Sequence, residues 1–243
     1  NTIILQLTRL LMESLEAKGR YDMGDYLGRF LDFFLTEGKN PDTYLPEAIR
    51  LYFTNYARGR DRTQCGEYGT HLDGIVLCLP LMLVYGRDLP LAQQVARRHM
   101  ALTHQGEAVG RGVDFLCEVI HHLLAGYSVE AVYFERIGRE RSSFLNSPFR
   151  RWIEQSSDDA VSHKELGHGA LVGDALPLTL YLGLKYAGDV EQALAANANL
   201  GGDNCHRGAI LGAMLGAANG CEGIPEELAS GLTAAAEIDR LSD

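Results

Sequence analysis

Apolar residues recur at intervals of three and four along nearly the whole chain, and this spacing predicts a fold built from helices. The pattern is clearest near the start, where six residues define one face of an amphipathic helix: Ile3, Ile4, Leu7, Leu10, Leu11 and Leu15. No run of alternating apolar and polar residues is long enough to indicate a strand. We therefore expect an all-α protein, and its 243 residues are enough for one domain with a substantial core.

Further helices are expected wherever the spacing returns. They cover 26–34, 42–56, 73–85, 91–104, 107–124, 170–186, 203–218 and 225–241. Pro80 lies inside the fourth of these segments and predicts a kink, because proline removes a backbone hydrogen bond from a helix. Charged residues are dense over 135–159, which we interpret as an exposed connection.

The composition limits which binding partners and which cellular compartment we expect for this protein. The chain carries 32 acidic against 22 basic residues, a net charge of −10, which argues against a nucleic-acid-binding surface. Its five cysteines are odd in number, far apart and without a CxxC pair, a pattern typical of free thiols in a reducing, cytoplasmic protein. Since no apolar run reaches 18 residues, no membrane span is expected.

Glycines at positions 208, 212, 216 and 220 fall on one face of the helix predicted over 203–218. Four glycines destabilise a helix by roughly 3–4 kcal/mol relative to alanine. We therefore expect a neighbouring helix backbone to pack closely against this glycine stripe. The alternative, that a ligand approaches the backbone, applies to Gly208.

The segment ahead of the stripe concentrates polar residues at the start of a helix. Asp203, Asn204, Cys205 and His206 follow the pair Gly201-Gly202. Their side chains should lie near the unpaired N–H groups and the positive end of the helix. This combination suits a metal ion, an anion or both, and the alternative is that Asp203 simply caps the helix.

The same segment carries a family resemblance. The run Asn197-x-Asn199-x-Gly-Gly-Asp-Asn, followed by a small-residue helix, resembles the C-terminal motif of the ADP-ribosylglycohydrolase family. Ala101–His104 looks like the family's Leu-Thr-His turn, and Leu72–Pro80 like its glycine-rich segment before a proline-bearing helix. Asn1-Thr2 is similar to the end of its Thr-Asp-Asp-Thr motif. The resemblance covers nearly all of 1–243 as one domain, and it implies an upstream segment that is not part of this sequence.

Membership implies a single orthogonal all-α domain that cleaves an N- or O-glycosidic bond to ADP-ribose with a binuclear Mg²⁺ site. By this resemblance Asp203, Asn1 and Thr2 are the expected metal residues. The expected substrate-binding residues are Asp73, His104, Gly202, Cys205 and His206. The expected partner is ADP-ribose or an ADP-ribosylated substrate.

The chain departs from the family pattern at three of these positions. Cys205 stands where the family has its second metal aspartate, His206 where it has threonine, and Asn1 where it has an aspartate. Thiolate and imidazole suit Zn²⁺ better than Mg²⁺. The form Gly-Gly-Asp-Asn-Cys-His-Arg-Gly resembles a divergent branch that includes the J1 crystallins of jellyfish. The alternative function is therefore a catalytically inactive ADP-ribose-binding or crystallin-like structural protein.

Overall fold

The computed structural model describes residues 2–138 and 143–242, and among these residues it contains helices and no strands. The α-helices are α1 (Ile3–Lys18), α2 (Met23–Leu35), α3 (Glu47–Ala57), α4 (Asp73–Val76), α5 (Leu79–Val84), α6 (Leu89–Met100), α7 (Glu107–Leu124), α8 (Val129–Ala131), α9 (Phe149–Gln155), α10 (Asp158–Ala160), α11 (Val172–Lys185), α12 (Val190–Asn199), α13 (Asn204–Asn219), α14 (Glu226–Ser230) and α15 (Ala235–Ser242). The π-helical segments Val132–Ile137 and Val161–Leu166 continue α8 and α10, and 3₁₀ turns lie at Ser143–Leu145 and Cys221–Gly223. The prediction of an all-α fold is confirmed.

Helices α7 and α11 form the centre of the core. Each carries ten buried residues, and α11 is apolar along most of its length, as expected of a helix surrounded on all sides. Helix α13 packs against both of them and against α12, while α4 packs against α1, α7 and α13. This arrangement brings the beginning of α13 and the short helix α4 into the same region of the molecule.

The segment predicted as one kinked helix over 73–85 is two short helices, α4 and α5. Pro80 lies in the first turn of α5. It has no N–H to donate to the carbonyl of Val76, so a continuous helix would lose a bond at this point. The break leaves α4 as a separate turn whose first residue is Asp73.

The charged segment 135–159 is only partly the exposed connection that we expected. Positions 139–142 lie outside the described residues, and the remainder includes α9, which buries Phe149 and Trp152. Asp158 at the start of α10 accepts hydrogen bonds from Tyr181 (2.7 Å) and Lys185 (2.6 Å) of α11. The buried side chains of Phe149 and Trp152 and the hydrogen-bonded carboxylate of Asp158 therefore attach the segment to the core.

The glycine stripe of α13 is not covered by a helix backbone, so that expectation was wrong. A Cβ atom placed at Gly212 would have no neighbour within 4 Å among the described residues, and one at Gly208 would meet only the side chain of Asn197 at 3.1 Å. Gly212 borders a cavity of about 780 Å³ lined mainly by apolar side chains of α1, α5, α13 and α15. Gly212 therefore faces a space, and Gly208 faces a side chain of α12 rather than a helix backbone.

The five cysteines are free thiols: Cys65, Cys78 and Cys117 are buried, and Cys205 and Cys221 are exposed. Within the described ranges, every helix is too short or too polar to cross a membrane.

Candidate functional site

Four loops meet around the N-terminal ends of α4, α7, α11 and α13. The segment 67–72 is extended and lies between the loop before α7 and the loop before α11. Its backbone pairs with each loop at one position, Glu67 with His104 and His71 with Leu171. The backbone bonds Gln105 N–H to Glu67 O (2.9 Å) and Leu72 N–H to Ala170 O (2.8 Å) hold it in place. This segment leads directly into α4 and so fixes the position of Asp73.

Asp73 and His104, two of the predicted substrate-binding residues, form a buried hydrogen-bonded pair. Nε2 of His104 lies 3.0 Å from Oδ1 of Asp73, and the two residues are 1% and 6% exposed respectively. The hydroxyl of Thr103 lies 2.9 Å from Nδ1 of His104. An ionised carboxylate can only accept, so the ring donates from Nε2 to Asp73, while the direction of the bond with Thr103 depends on whether Nδ1 carries a proton. Both ring nitrogens are thereby occupied, and His104 acts on any ligand through Asp73.

The environment of Asp73 favours its ionised form. Burial by itself would raise the pKa of Asp73, but the hydrogen bond from His104 and the charges of His104, His206 and His71 outweigh burial and hold this pKa below its usual value. Gly74 makes room for the pair, since a Cβ atom there would lie 2.8 Å from Cγ of His104 and 2.8 Å from Cγ1 of Val109. The pair is therefore built by close packing as well as by charge.

The Gly201-Gly202 loop positions Asp203 at the start of α13. Both glycines have positive φ, 67° and 62°, a conformation that other residues rarely adopt. A Cβ atom at Gly202 would lie 2.0 Å from the carbonyl oxygen of His168, and the N–H of Asp203 donates to that same oxygen at 3.1 Å. Glycine at 202 thus allows the close contact that joins this loop to the loop before α11.

Arg207 holds these two loops together from inside the protein. It is 0% exposed and donates to the carbonyl oxygens of Gly201 (2.6 Å) and His168 (2.9 Å) and to Oδ1 of Asn197 (3.1 Å). Burial lowers the pKa of Arg207, and the charge of Asp203 opposes that effect. Sequence analysis did not identify this residue. The available signal was an arginine inside an otherwise small and apolar helix.

Asp203 and His206 form the second carboxylate–imidazole pair of the site. Nδ1 of His206 lies 2.7 Å from Oδ1 of Asp203, and their side chains are 19% and 15% exposed. Asp203 occupies the N-cap position, yet its side chain does not cap α13, so the simple capping alternative does not describe it. Oδ2 of Asp203 and Nε2 of His206 are buried and lack hydrogen-bond partners within the described part of the chain.

Electrostatics link the two pairs. Burial by itself would lower the pKa of His206, but the hydrogen bond and charge of Asp203, together with the charge of Asp73, outweigh it and raise this pKa. His206 in turn contributes to the low pKa of Asp73. The structure therefore brings Asp73, His104, Asp203 and His206 into one interacting group.

The other predicted site residues are not part of the two carboxylate–imidazole pairs. Gly202 belongs to the loop beside His168, and Cys205 is exposed on the first turn of α13. Thr2 caps α1, its hydroxyl accepting from the N–H of Leu5 at 3.4 Å. Asn1, the remaining predicted metal residue, lies outside the described residues.

The described residues of this site do not by themselves form the Mg²⁺ site that the resemblance implies. Magnesium requires oxygen ligands in near-octahedral geometry. Within 2–138 and 143–242, no three His, Cys, Asp or Glu side chains are grouped so that they could hold a metal ion. Oδ1 of Asp203 is engaged by His206, the hydroxyl of Thr2 is engaged as a cap, and Cys205 offers a soft thiol.

Comparisons with known proteins agree with the fold and with the resemblance. The family model described as ADP-ribosylglycohydrolase matches residues 2–243. A solved structure described as an "ADP-ribosylglycohydrolase-related protein complex" is similar, with a TM-score of 0.75 and 24% sequence identity over 99% of this chain and 78% of the other chain. At that identity the structural likeness shows the fold alone. No curated protein matches the chain significantly.

Proposed function

The chain belongs to the ADP-ribosylglycohydrolase family, and we propose that it hydrolyses an N- or O-glycosidic bond to ADP-ribose at the two carboxylate–imidazole pairs. Family membership supports a hydrolase that acts on bonds to ADP-ribose. The observation that carries the proposal is the family match over 2–243, which includes both of the motifs that supply the pairs.

Asp203 is the proposed general base. Because His206 occupies Oδ1, the free oxygen Oδ2 is left to accept a proton from an attacking water. The bond from the anomeric carbon to the leaving nitrogen or oxygen breaks as the bond to the water oxygen forms. The proton of the water passes to Oδ2, so one water is added across the glycosidic bond.

His206 is the proposed proton donor to the leaving group. The raised pKa of His206 favours the protonated ring, and its Nε2 has no partner among the described residues. The ring can therefore give its proton to the departing nitrogen or oxygen. Asp73, with Oδ1 held by His104 and by the N–H of Gly74 (2.9 Å), offers its second oxygen to a ribose hydroxyl.

The start of α13 is the proposed position of the diphosphate. The first N–H groups of a helix have no partner inside the helix and carry its positive end, and the side chain of Asp203 does not cap them. Gly202 and Cys205 border this end of the helix, which is consistent with their predicted role in substrate binding.

The test is release of ADP-ribose from arginine-linked, serine-linked and O-acetyl-linked conjugates. Wild-type protein should hydrolyse at least one of the three. Asp203→Asn should reduce the rate by about 100-fold or more, since general-base catalysis contributes 10²–10⁴-fold. Asp159→Asn is the matched control, because Asp159 forms an exposed Asp–His pair with His163 (3.2 Å). No turnover of any conjugate would contradict the proposal.

A binding or crystallin-like structural role is the second candidate function. It is favoured by the donor set around Asp203, where Cys205 and His206 replace the oxygen ligands of the family pattern. This candidate predicts ADP-ribose binding without turnover, or neither. A cytoplasmic location stays part of the proposal, supported by the five free cysteines.

A further inference from the structure

The Asp203 carboxylate is already occupied on one side. The Nδ1–Oδ1 distance of 2.7 Å is that of a strong hydrogen bond. Asp203 is the N-cap residue of α13 and His206 lies in its first turn, three positions further on, so the helix itself holds the ring against the carboxylate. A cation that approached Oδ1 would have to displace the ring from a position that the helix backbone favours.

Among the described residues, the neighbours of Asp203 offer a cation few ligands that would compensate for the loss of this hydrogen bond. The side chain two positions beyond Asp203 is Cys205, an exposed thiol, which is a poor ligand for a hard cation. Asp73 is a second carboxylate whose charge acts on His206, and its Oδ1 already accepts two hydrogen bonds.

The unsatisfied atoms of the pair suit a different kind of ligand. Oδ2 of Asp203 accepts, and Nε2 of His206 is buried beside it without a partner in the described ranges. A hydroxyl group both donates and accepts, so it can satisfy a carboxylate oxygen and a ring N–H together. The anomeric hydroxyl of ADP-ribose is a group of this kind, and it lies where the water and the leaving group of the proposed hydrolysis would lie.

We infer that His206 has replaced a divalent cation at Asp203, so that this pair contacts the anomeric hydroxyl of ADP-ribose directly and without a metal ion. The identity of the ligand rests on the proposed function. The exclusion of the cation rests on the donor geometry and can be tested separately.

The cation experiment measures Mn²⁺ binding to the chelator-stripped full chain by electron paramagnetic resonance. Wild type should bind no stoichiometric Mn²⁺. Cys205→Asp/His206→Thr, which restores the oxygen donors of the family pattern and frees Oδ1, should bind it. The matched control is Cys221→Asp/His122→Thr, the same pair of changes at an exposed cysteine and at a histidine near the end of α7. It should behave as wild type.

Either of two results overturns the inference. Stoichiometric Mn²⁺ binding by wild type that is lost in Asp203→Asn shows that the ring does not exclude the cation. Absence of binding in the folded Cys205→Asp/His206→Thr variant shows that these two residues are not what excludes it. If circular dichroism shows that the double variant does not fold, His206→Thr alone is measured with the same criteria.

The ligand experiment is calorimetric titration of ADP-ribose with and without EDTA. The affinity should differ by less than twofold between the two conditions, and it should fall at least tenfold in His206→Ala. Binding that EDTA abolishes overturns the inference. If ADP-ribose does not bind under any condition, the proposed function fails, and the Mn²⁺ measurement still decides whether His206 excludes the cation.

Discussion

Nδ1 of His206 bonds Oδ1 of Asp203 at 2.7 Å, so the first turn of α13 holds the carboxylate that precedes it in a fixed orientation. The second pair, His104 and Asp73 at 3.0 Å, lies close enough for the charge of Asp73 to act on His206. Two motifs that are 130 positions apart in the sequence thus contribute to one polar group at the ends of buried helices.

The buried His99 should make stability depend on pH. Burial lowers the pKa of His99 to about 3, while in the unfolded chain it is about 6.5. Between these values the unfolded chain binds a proton that the folded protein does not, so the free energy of unfolding should fall with decreasing pH, by at most about 1.4 kcal/mol per unit. Urea denaturation of wild type between pH 6.5 and 5 measures this slope.

Substituting the histidine should remove that dependence. His99 faces the hydroxyl of Tyr21 (3.3 Å) and the ring of Tyr26, neither of which titrates in this range. His99→Gln should therefore show a flatter profile than wild type, whereas the exposed His163→Gln should not. Equal slopes in wild type and His99→Gln would assign the dependence to other groups.

Gly74→Ala should destabilise the protein and disturb the Asp73–His104 pair. The new methyl group would lie 2.8 Å from atoms of His104 and Val109, and overpacking of this kind costs typically 1–3 kcal/mol. Gly28→Ala is the control, since Gly28 lies in the exposed face of α2 with no atom within 4 Å in the described structure. That change should stabilise by about 0.4–1 kcal/mol, and thermal unfolding of both variants distinguishes the two signs.

Arg207→Met should be strongly destabilising. It would leave the acceptors on Gly201 and Asn197 without this donor, and the carbonyl oxygen of His168 with the N–H of Asp203 alone. We expect a loss of about 3–5 kcal/mol in the free energy of unfolding, since each unsatisfied buried group costs about 1–3 kcal/mol. Arg150→Met breaks an exposed pair with Glu130 and should cost less than about 1 kcal/mol. Similar denaturant midpoints for the two variants would show that Arg207 does not hold the two loops together as its hydrogen bonds indicate.

The helical periodicity identified the long amphipathic helices and missed elements that tertiary contacts define. Helix α7 begins and ends where its apolar spacing predicts, at Glu107 and Leu124. Helix α12 was not predicted, because its run of alanines and asparagines has little contrast between its faces. The predicted helix over 225–241 is instead α14 and α15, and the helix predicted over 91–104 ends at Met100.

For the site, Asp73, His104, Asp203 and His206 were singled out from the sequence and lie together in the structure, but how they pair was not predicted. The turn at His104 and the Gly-Gly-Asp segment were both identified. However, sequence spacing does not predict the hydrogen bond between His104 and Asp73, which are 31 positions apart. The packing of α4 against α7 brings these two residues together. The i,i+3 contact of Asp203 with His206 was open to sequence reasoning but was not predicted. Arg207 was missed because burial of an arginine depends on acceptors from three separate segments.

The most direct test of the account is whether both carboxylates contribute to one ADP-ribose site. Calorimetric titration of ADP-ribose should show binding to wild type and to the control Asp159→Asn. Asp203→Asn and Asp73→Asn should each weaken it at least tenfold while circular dichroism shows them folded. Affinities equal to wild type in both variants would contradict the claim that these two pairs form the functional site.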